Sequence, residues 1–189
     1  MKIVPVSEIP GKSVVQDCPT TTRRLSSMSV YKTCLEMKEV CELEKGIGLS
    51  AVQVGLPWRL FIVKEEDGEY SFLVDCEYES VSVDSTGVRD YTGSLRGGSL
   101  ELSQTPIKKS IEGCLSLKTS NGELRRFLVE RPDKVRIMGK KLLIGDDGKP
   151  LFEPINIILD GLYSIVYQHE IDHQNGILIS DIGEETGIW

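Results

Sequence analysis

The chain has 189 residues, 40% of them hydrophobic, with 22 Lys and Arg against 29 Asp and Glu and a formal net charge of −7. That length supports one sizeable core and is short for two, so a single domain over residues 1–189 is expected. The acidic excess argues against tight nucleic-acid binding, and no apolar run approaches the roughly twenty residues that cross a bilayer.

The opening Met1-Lys2-Ile3-Val4-Pro5-Val6 reaches Ser7, Glu8 and Pro10 too soon for a secretory leader, so a cytoplasmic location is expected. Residues 1–20, punctuated by Pro5, Pro10, Gly11 and Pro19, read as irregular. From about Thr22 to Lys45, Leu25, Met28, Cys34, Leu35 and Cys41 keep helical spacing, with Gly46 as the stop. Trp58–Val63 and Tyr70–Asp75 read as strands joined by Glu66-Asp67-Gly68. Residues 77–110, rich in Ser, Thr and Gly, read as a long loop or hairpin. Leu124–Val129 and Lys134–Met138 are further expected strands, and Lys141–Ile144 leads into the turn Gly145-Asp146-Asp147-Gly148. A helix is expected from about Asp160 to Gln174, with a short tail after it. Strands between two helices give an α+β class.

Five cysteines, Cys18, Cys34, Cys41, Cys76 and Cys114, make an odd count without a C-x-x-C pair, which fits a reducing compartment. Cys34 and Cys41 lie seven apart on a predicted helix, the spacing of two core positions.

Both histidines fall within Gln168-His169-Glu170-Ile171-Asp172-His173-Gln174-Asn175-Gly176. Positions i and i+4 share a helix face, so His169 and His173 can grip one metal ion while Glu170 sits beside the open coordination position. Two histidines so spaced can also be ordinary core or surface residues. Leu162, Ile165 and Val166 extend an apolar stripe through both of them, however, and a buried imidazole needs a partner that a metal supplies. Catalytic sites of this kind take three protein ligands and keep the fourth position for water. Downstream of the helix only Asp181, Glu184 and Glu185 are available; upstream, Glu112-Gly113-Cys114-Leu115-Ser116 stands out.

Three segments, Gly46-Ile47-Gly48-Leu49-Ser50-Ala51-Val52-Gln53-Val54-Gly55, Glu112 to Ser116, and Gln168 to Gly176, resemble in order the three signature motifs of the peptide deformylases. Trp58 to Val63, Val129-Glu130-Arg131-Pro132-Asp133 and Gly161 extend the likeness over roughly residues 22–182. The resemblance implies antiparallel sheets packed around a central helix carrying the H-E-x-x-H motif, with an N-terminal helix. It also implies Cys114 as the third ligand, a thiolate beside neutral His169 and His173, and Glu170 as the residue that moves the water proton. The Gln53 side-chain amide and the Leu115 backbone N–H would stabilise the oxyanion. Ile47, Leu162, Ile165 and Val166 would line a methionine pocket, and Gly48 would let the substrate backbone approach. The implied substrates are nascent N-formylmethionyl polypeptides, met at the ribosome by a monomer. A Cys-His-His set suits Zn²⁺, Fe²⁺, Ni²⁺ or Co²⁺; the resemblance implies Fe²⁺ natively, with the others as substitutes.

The chain also departs from the family. Ser50 stands where Ala is usual, Asn-Pro is missing near Asp75-Cys76, the 77–110 link is long, and thirteen residues after Gly176 leave no room for a C-terminal helix. Asp172 is expected either to orient a ligand or to cap local structure. Two other readings share the His169-Glu170-His173 core: a zinc endopeptidase and an inactive, metal-stabilised binding protein.

Overall fold

The computed structural model describes residues 1–4, 21–81, 83–84, 87–88 and 106–189. In chain order, α1 (Thr21–Arg24) and α2 (Ser27–Leu43) precede β1 (Gly48–Ser50), which runs into a 3₁₀ turn (Ala51–Val54). The hairpin β2 (Leu60–Lys64) and β3 (Tyr70–Ser80) comes next, then the short pair β4 (Val83–Asp84) and β5 (Gly87–Val88). Strands β6 (Ile107–Lys118), β7 (Leu124–Pro132), β8 (Lys134–Ile144) and β9 (Pro150–Asp160) lead to α3 (Gly161–Gln174), the four-residue α4 (Ile179–Ile182) and β10 (Glu184–Ile188). The architecture is mixed α/β: a five-stranded antiparallel sheet in the order β1-β2-β3-β8-β9, a three-stranded antiparallel sheet in the order β10-β7-β6, and few helices.

Leu60-Phe61-Ile62-Val63 is a continuous apolar run because both faces of β2 are covered. Side chains alternate across a strand. Leu60 and Ile62 join Phe72 and Val74 against Val30, Cys34, Met37, Val40 and Cys41 of α2. Phe61 and Val63 join Leu73, Val135 and Ile137 against Val166, Tyr167 and Ile171 of α3. Phe61 and Tyr167 meet edge to face at 5.6 Å between centroids. Cys34 and Cys41 are buried on the α2 side, at the core positions their spacing predicts.

The helix expected over Thr22–Lys45 is broken at Ser26, which takes an extended backbone and accepts the Ser29 N–H on its Oγ at 3.2 Å, the N-cap of α2. At the other end the left-handed residue is Lys45 (φ 56°), not the expected Gly46. Helix α3 stops in a Schellman motif: Gly176 (φ 72°) donates to His173 O at 3.0 Å and Ile177 donates to Asp172 O at 2.9 Å.

The strands run further than periodicity predicts. β3 continues to Ser80, and β8 runs unbroken from Lys134 to Ile144, through residues expected to lie between two elements. The loop expected over residues 77–110 is trimmed by β3, by the β4–β5 pair and by β6; residues 5–20 and 89–105 lie outside the described residues. β6 and β9 were not expected as strands, and the tail holds α4 and β10. α4 is a single turn, and among the described residues no long helix follows α3.

β3 and β8 shift register between Val74 and Glu77, where Asp75 adopts φ 54°. The shift aims the Asp75 carboxylate at α1, accepting from Thr21 N at 2.6 Å, Thr22 N at 3.2 Å and Thr22 Oγ1 at 2.7 Å. On the opposite strand a Cβ at Gly139 would lie 2.5 Å from Cys76 Sγ and 2.8 Å from its Cα. Gly139→Ala is therefore expected to destabilise the fold by about 1–3 kcal/mol, the usual cost of overpacking. Urea unfolding of the variant against the parent checks this, and equal midpoints would contradict it.

Candidate metal centre

His169 and His173 lie one turn apart on α3, both buried, with ring centroids 4.8 Å apart and planes at 83°. Their Nε2 atoms are 3.2 Å apart. The third donor comes from the other sheet. β6 and β7 pair in register up to Gly113↔Arg126 and resume only at Lys118↔Leu124, so Cys114 to Leu117 leave the ladder. That bulge brings Cys114 Sγ to 3.2 Å from His173 Nε2.

Cys114, His169 and His173 place one ligand atom each within 4.8 Å of one another. Tetrahedral bonds of ordinary length put nitrogen donors about 3.3 Å apart and a sulfur about 3.6 Å from a nitrogen. The separations of His173 Nε2 from His169 Nε2 and from Cys114 Sγ, 3.2 Å each, are close to those around one shared cation. The charges fit as well. Burial opposes a thiolate, yet the positive charge of His173 and hydrogen bonds from His169 and His173 carry Cys114 well below the ordinary thiol range. Burial opposes a charged imidazole too, but Cys114 and Glu112 hold His169 up at about 10. The two shifts favour charge of opposite sign on the sulfur and the imidazole, and a dication among the same atoms would take over the role of the proton between them. The other described cysteines go the opposite way: burial pushes Cys41 and Cys76 up to about 12 and Cys34 higher still.

A buried charge network fixes the donors. Glu112 Oε2 faces His169 Nδ1 at 3.0 Å, which leaves Nε2 for the centre. Arg131, 2% exposed, donates through Nε and Nη2 to Glu112 at 2.7 and 3.1 Å and through Nη1 to Asp172 Oδ2 at 2.7 Å. Tyr78 donates its hydroxyl to Asp172 Oδ1 at 3.0 Å. Burial alone would raise the Glu112 carboxyl, but the His169 hydrogen bond and the Arg131 guanidinium hold it at about 2. Asp172 thus anchors Arg131 rather than capping its own helix.

The turn after β1 prepares a second group. Ser50 N donates to Gln53 Oε1 at 2.8 Å, which commits the amide oxygen and turns Nε2 toward Cys114 Sγ at 3.4 Å and Ser116 Oγ at 3.3 Å. The buried Ser50 hydroxyl donates to Leu60 O at 3.4 Å and is not orphaned. Glu170 is buried, and burial pushes its carboxyl up to about 7 against the pull of His169 and His173. Its Oε2 has no hydrogen-bond partner among the described residues. The glycine at position 48 is explained by this carboxylate, because a Cβ there would run into it. Gly48 also lines the cavity that opens beside this carboxylate.

A cavity of about 290 Å³ opens on this cluster. Gln53, Leu115, His169 and Glu170 line it, as do Ile47, Gly48, Leu162, Ile165 and Val166, while Cys114 and His173 are almost fully buried. Leu162, expected to face the interior, is 59% exposed and sits at the rim, as does Ile47. The downstream acids are engaged or exposed elsewhere: Asp181 accepts from Leu178 N, Glu185 pairs with Arg125, and Glu184 is an exposed residue of β10. Sequence reasoning missed Arg131 and Tyr78, and it missed Ile111 and Trp189 at the cavity wall. A buried Arg signals itself only through the two acids that hold it, and neither is near it in the chain.

The fold and donor set define a mixed α/β protein with a buried Cys-His-His cluster that could hold a metal ion. The sequence profile described as Polypeptide deformylase matches residues 3–186. The peptide deformylase of Rhodopirellula baltica is 32% identical over 155 residues, covering 79% of this chain and 59% of its own length. That of Desulfosudis oleivorans is 34% identical over 148 residues, covering 77% and 66%. The crystal structure of a probable peptide deformylase from Synechococcus phage S-SSM7 superposes with a TM-score of 0.60 at 26% identity, covering 84% of this chain and 86% of that one. The chain belongs to the peptide deformylase family.

The Glu112–His169 contact supports the donor set from behind. Removing such a partner typically costs about 10–100-fold in metal affinity. Glu112→Ala is expected to lose that much in a chelator-dye competition, and unchanged affinity would show the contact to be incidental.

Proposed function

We propose that this chain removes the formyl group from the N-terminal formylmethionine of newly made polypeptides, releasing formate and a free amine. One observation carries the reading. A cysteine and two histidines cluster beside a cavity whose wall holds His169, a buried carboxylate, Glu170, with an unpartnered oxygen, and an oriented amide, Gln53.

Cys114, His169 and His173 would hold the metal, which when bound lowers the pKa of a water from 15.7 toward about 7 and polarises a carbonyl. Glu170 takes the proton of the attacking water and returns it to the leaving amine, a double task suited to a carboxyl held at about 7. The Gln53 Nε2–H and the Leu115 N–H donate to the oxygen on which negative charge builds. Ile47, Leu162, Ile165 and Val166 take the methionine side chain. Fe²⁺ is the proposed native ion, with Zn²⁺, Ni²⁺ or Co²⁺ able to replace it, since a Cys-His-His set accepts them all. The acting unit is one domain over residues 1–189, monomeric, cytoplasmic, meeting nascent chains at the ribosome without direct nucleic-acid contact. Among the described residues no helix is long and apolar enough to cross a membrane. An endopeptidase with another third ligand is less well supported, because Cys114 meets both histidines and the downstream acids do not.

The test is formate release from formyl-Met-Ala-Ser by protein loaded with Fe²⁺, Ni²⁺ or Zn²⁺. Absence of release with all three ions would end the proposal. Glu170→Gln is expected to lose at least about a hundredfold in kcat with metal content intact. Gln53→Ala is expected to lose about a hundred- to a thousandfold. Glu170 must be ionised to accept a proton. kcat/KM should therefore rise with pH along an acid limb whose midpoint lies at about 7 or below, a nearby cation favouring the carboxylate, and then level off. A rate that fell with rising pH across this range would contradict the assignment of Glu170.

A further inference from the structure

Four large apolar side chains at the cavity are unusually open to solvent: Ile47, Ile111, Leu162 and Trp189, at 49%, 46%, 59% and 62% exposure. Ile47 and Leu162 belong to the wall assigned to methionine. Ile111 and Trp189 form a second wall that the reaction as described leaves unused.

That wall is built, not incidental. Trp189 N donates to Leu124 O at 2.9 Å, extending the pairing of β10 with β7 in which Ile188 faces Arg125. The Arg126 guanidinium lies 5.2 Å over the indole ring, a cation–π contact. The indole edge occupies the space above Gly113, where a Cβ would lie 3.0 Å from Nε1. Ile111 and Gly113 are two apart on β6 and precede the bulge, so they share a face and the indole sits beside Ile111. The fold thus holds a large apolar ring out of the core, one residue along the strand from Cys114.

We propose that Ile111 and Trp189 form an apolar shelf for the side chain of the residue that follows the formylmethionine, so that the enzyme favours apolar or aromatic second residues. This rests on the deformylase reading. Successive side chains of an extended peptide point to opposite sides. With methionine directed at the α3 wall, the next side chain points at the facing wall, where the shelf stands. The shelf is continuous with the site, since all these residues line one cavity.

The test compares kcat/KM for formyl-Met-Leu-Ser and formyl-Met-Phe-Ser with that for formyl-Met-Ser-Ser, using metal-loaded parent, Trp189→Ala, Trp189→Phe and Ile111→Ser proteins. The parent should favour Leu and Phe by about tenfold, what burying one apolar side chain delivers. Trp189→Ala and Ile111→Ser should reduce that ratio to below about a third of its value, and Trp189→Phe should keep most of it. Because Ile111→Ser leaves β10 intact, a Trp189 variant that fails to fold does not block the test. Calorimetric binding of the unformylated Met-Leu-Ser and Met-Ser-Ser to the same proteins gives a readout independent of turnover. Formate release with no second-residue preference, a preference that survives both substitutions, or a preference at the third residue alone would overturn the shelf. Ranked binding that falls with Trp189→Ala, without formate release from any peptide, would uphold the shelf and overturn the deformylase reading instead.

Discussion

The geometry of the centre depends on a guanidinium buried between two carboxylates. Arg131 comes from β7, Glu112 from β6 and Asp172 from α3, and Arg131 is in hydrogen-bond contact with both acids. Since Cys114 follows Glu112 by two residues and His173 follows Asp172 by one, holding the acids at a fixed separation holds the sulfur against the imidazoles. Burying such charges gives little net stability, as desolvation offsets the attraction, whereas removing one partner typically costs about 3–5 kcal/mol. The network is therefore better understood as a device for position. It couples the three-stranded sheet to the helix in one arrangement, and in that arrangement the donors converge.

The same charges sort the cysteines. Cys34, Cys41 and Cys76 stay thiols, because burial is the largest influence on each. Cys114 is buried as deeply but faces two imidazoles, which reverse the outcome. One protein thus holds the same side chain as inert filler and as an anionic donor. The difference lies in what faces the sulfur, not in how deeply it is buried.

Much of the fold was legible in the sequence where burial alone sets the pattern. β2 reads as a strand because both its faces are covered, and α2 because its apolar side chains recur at helical spacing against that sheet. β9 carries Pro150 and Pro154, residues that a central strand excludes. It is an edge strand of mostly exposed residues, where a missing N–H facing away from the ladder is tolerated. β6 was obscured by Lys108, Lys109, Ser110 and Glu112, which break an apolar alternation; Glu112 is buried by ion pairing, which no hydrophobic pattern reveals. The candidate site divides the same way. The spacing of His169 and His173 is local and visible. The approach of Cys114 depends on a register break between β6 and β7, and the cavity wall at Trp189 depends on β10 pairing with β7, both long-range events. Trp189 carried no signal in the chain beyond being a large apolar residue.

The short segment from Gly48 to Gln53 shows how little chain is needed once the scaffold is set. Among the described residues β1 pairs only with β2, at the edge of its sheet, and it packs against α3. Glycine at position 48 leaves room for the Glu170 carboxylate, and that enclosure raises the carboxyl toward neutrality. Two residues on, the Ser50 N–H fixes the Gln53 amide so that its donor, not its acceptor, faces the sulfur. In the proposed reaction, then, the proton carrier and the oxyanion donor are both set by six consecutive residues that bind no metal. A substitution in this segment should alter chemistry while leaving the donor set in place, whereas a change at Arg131 should disturb both.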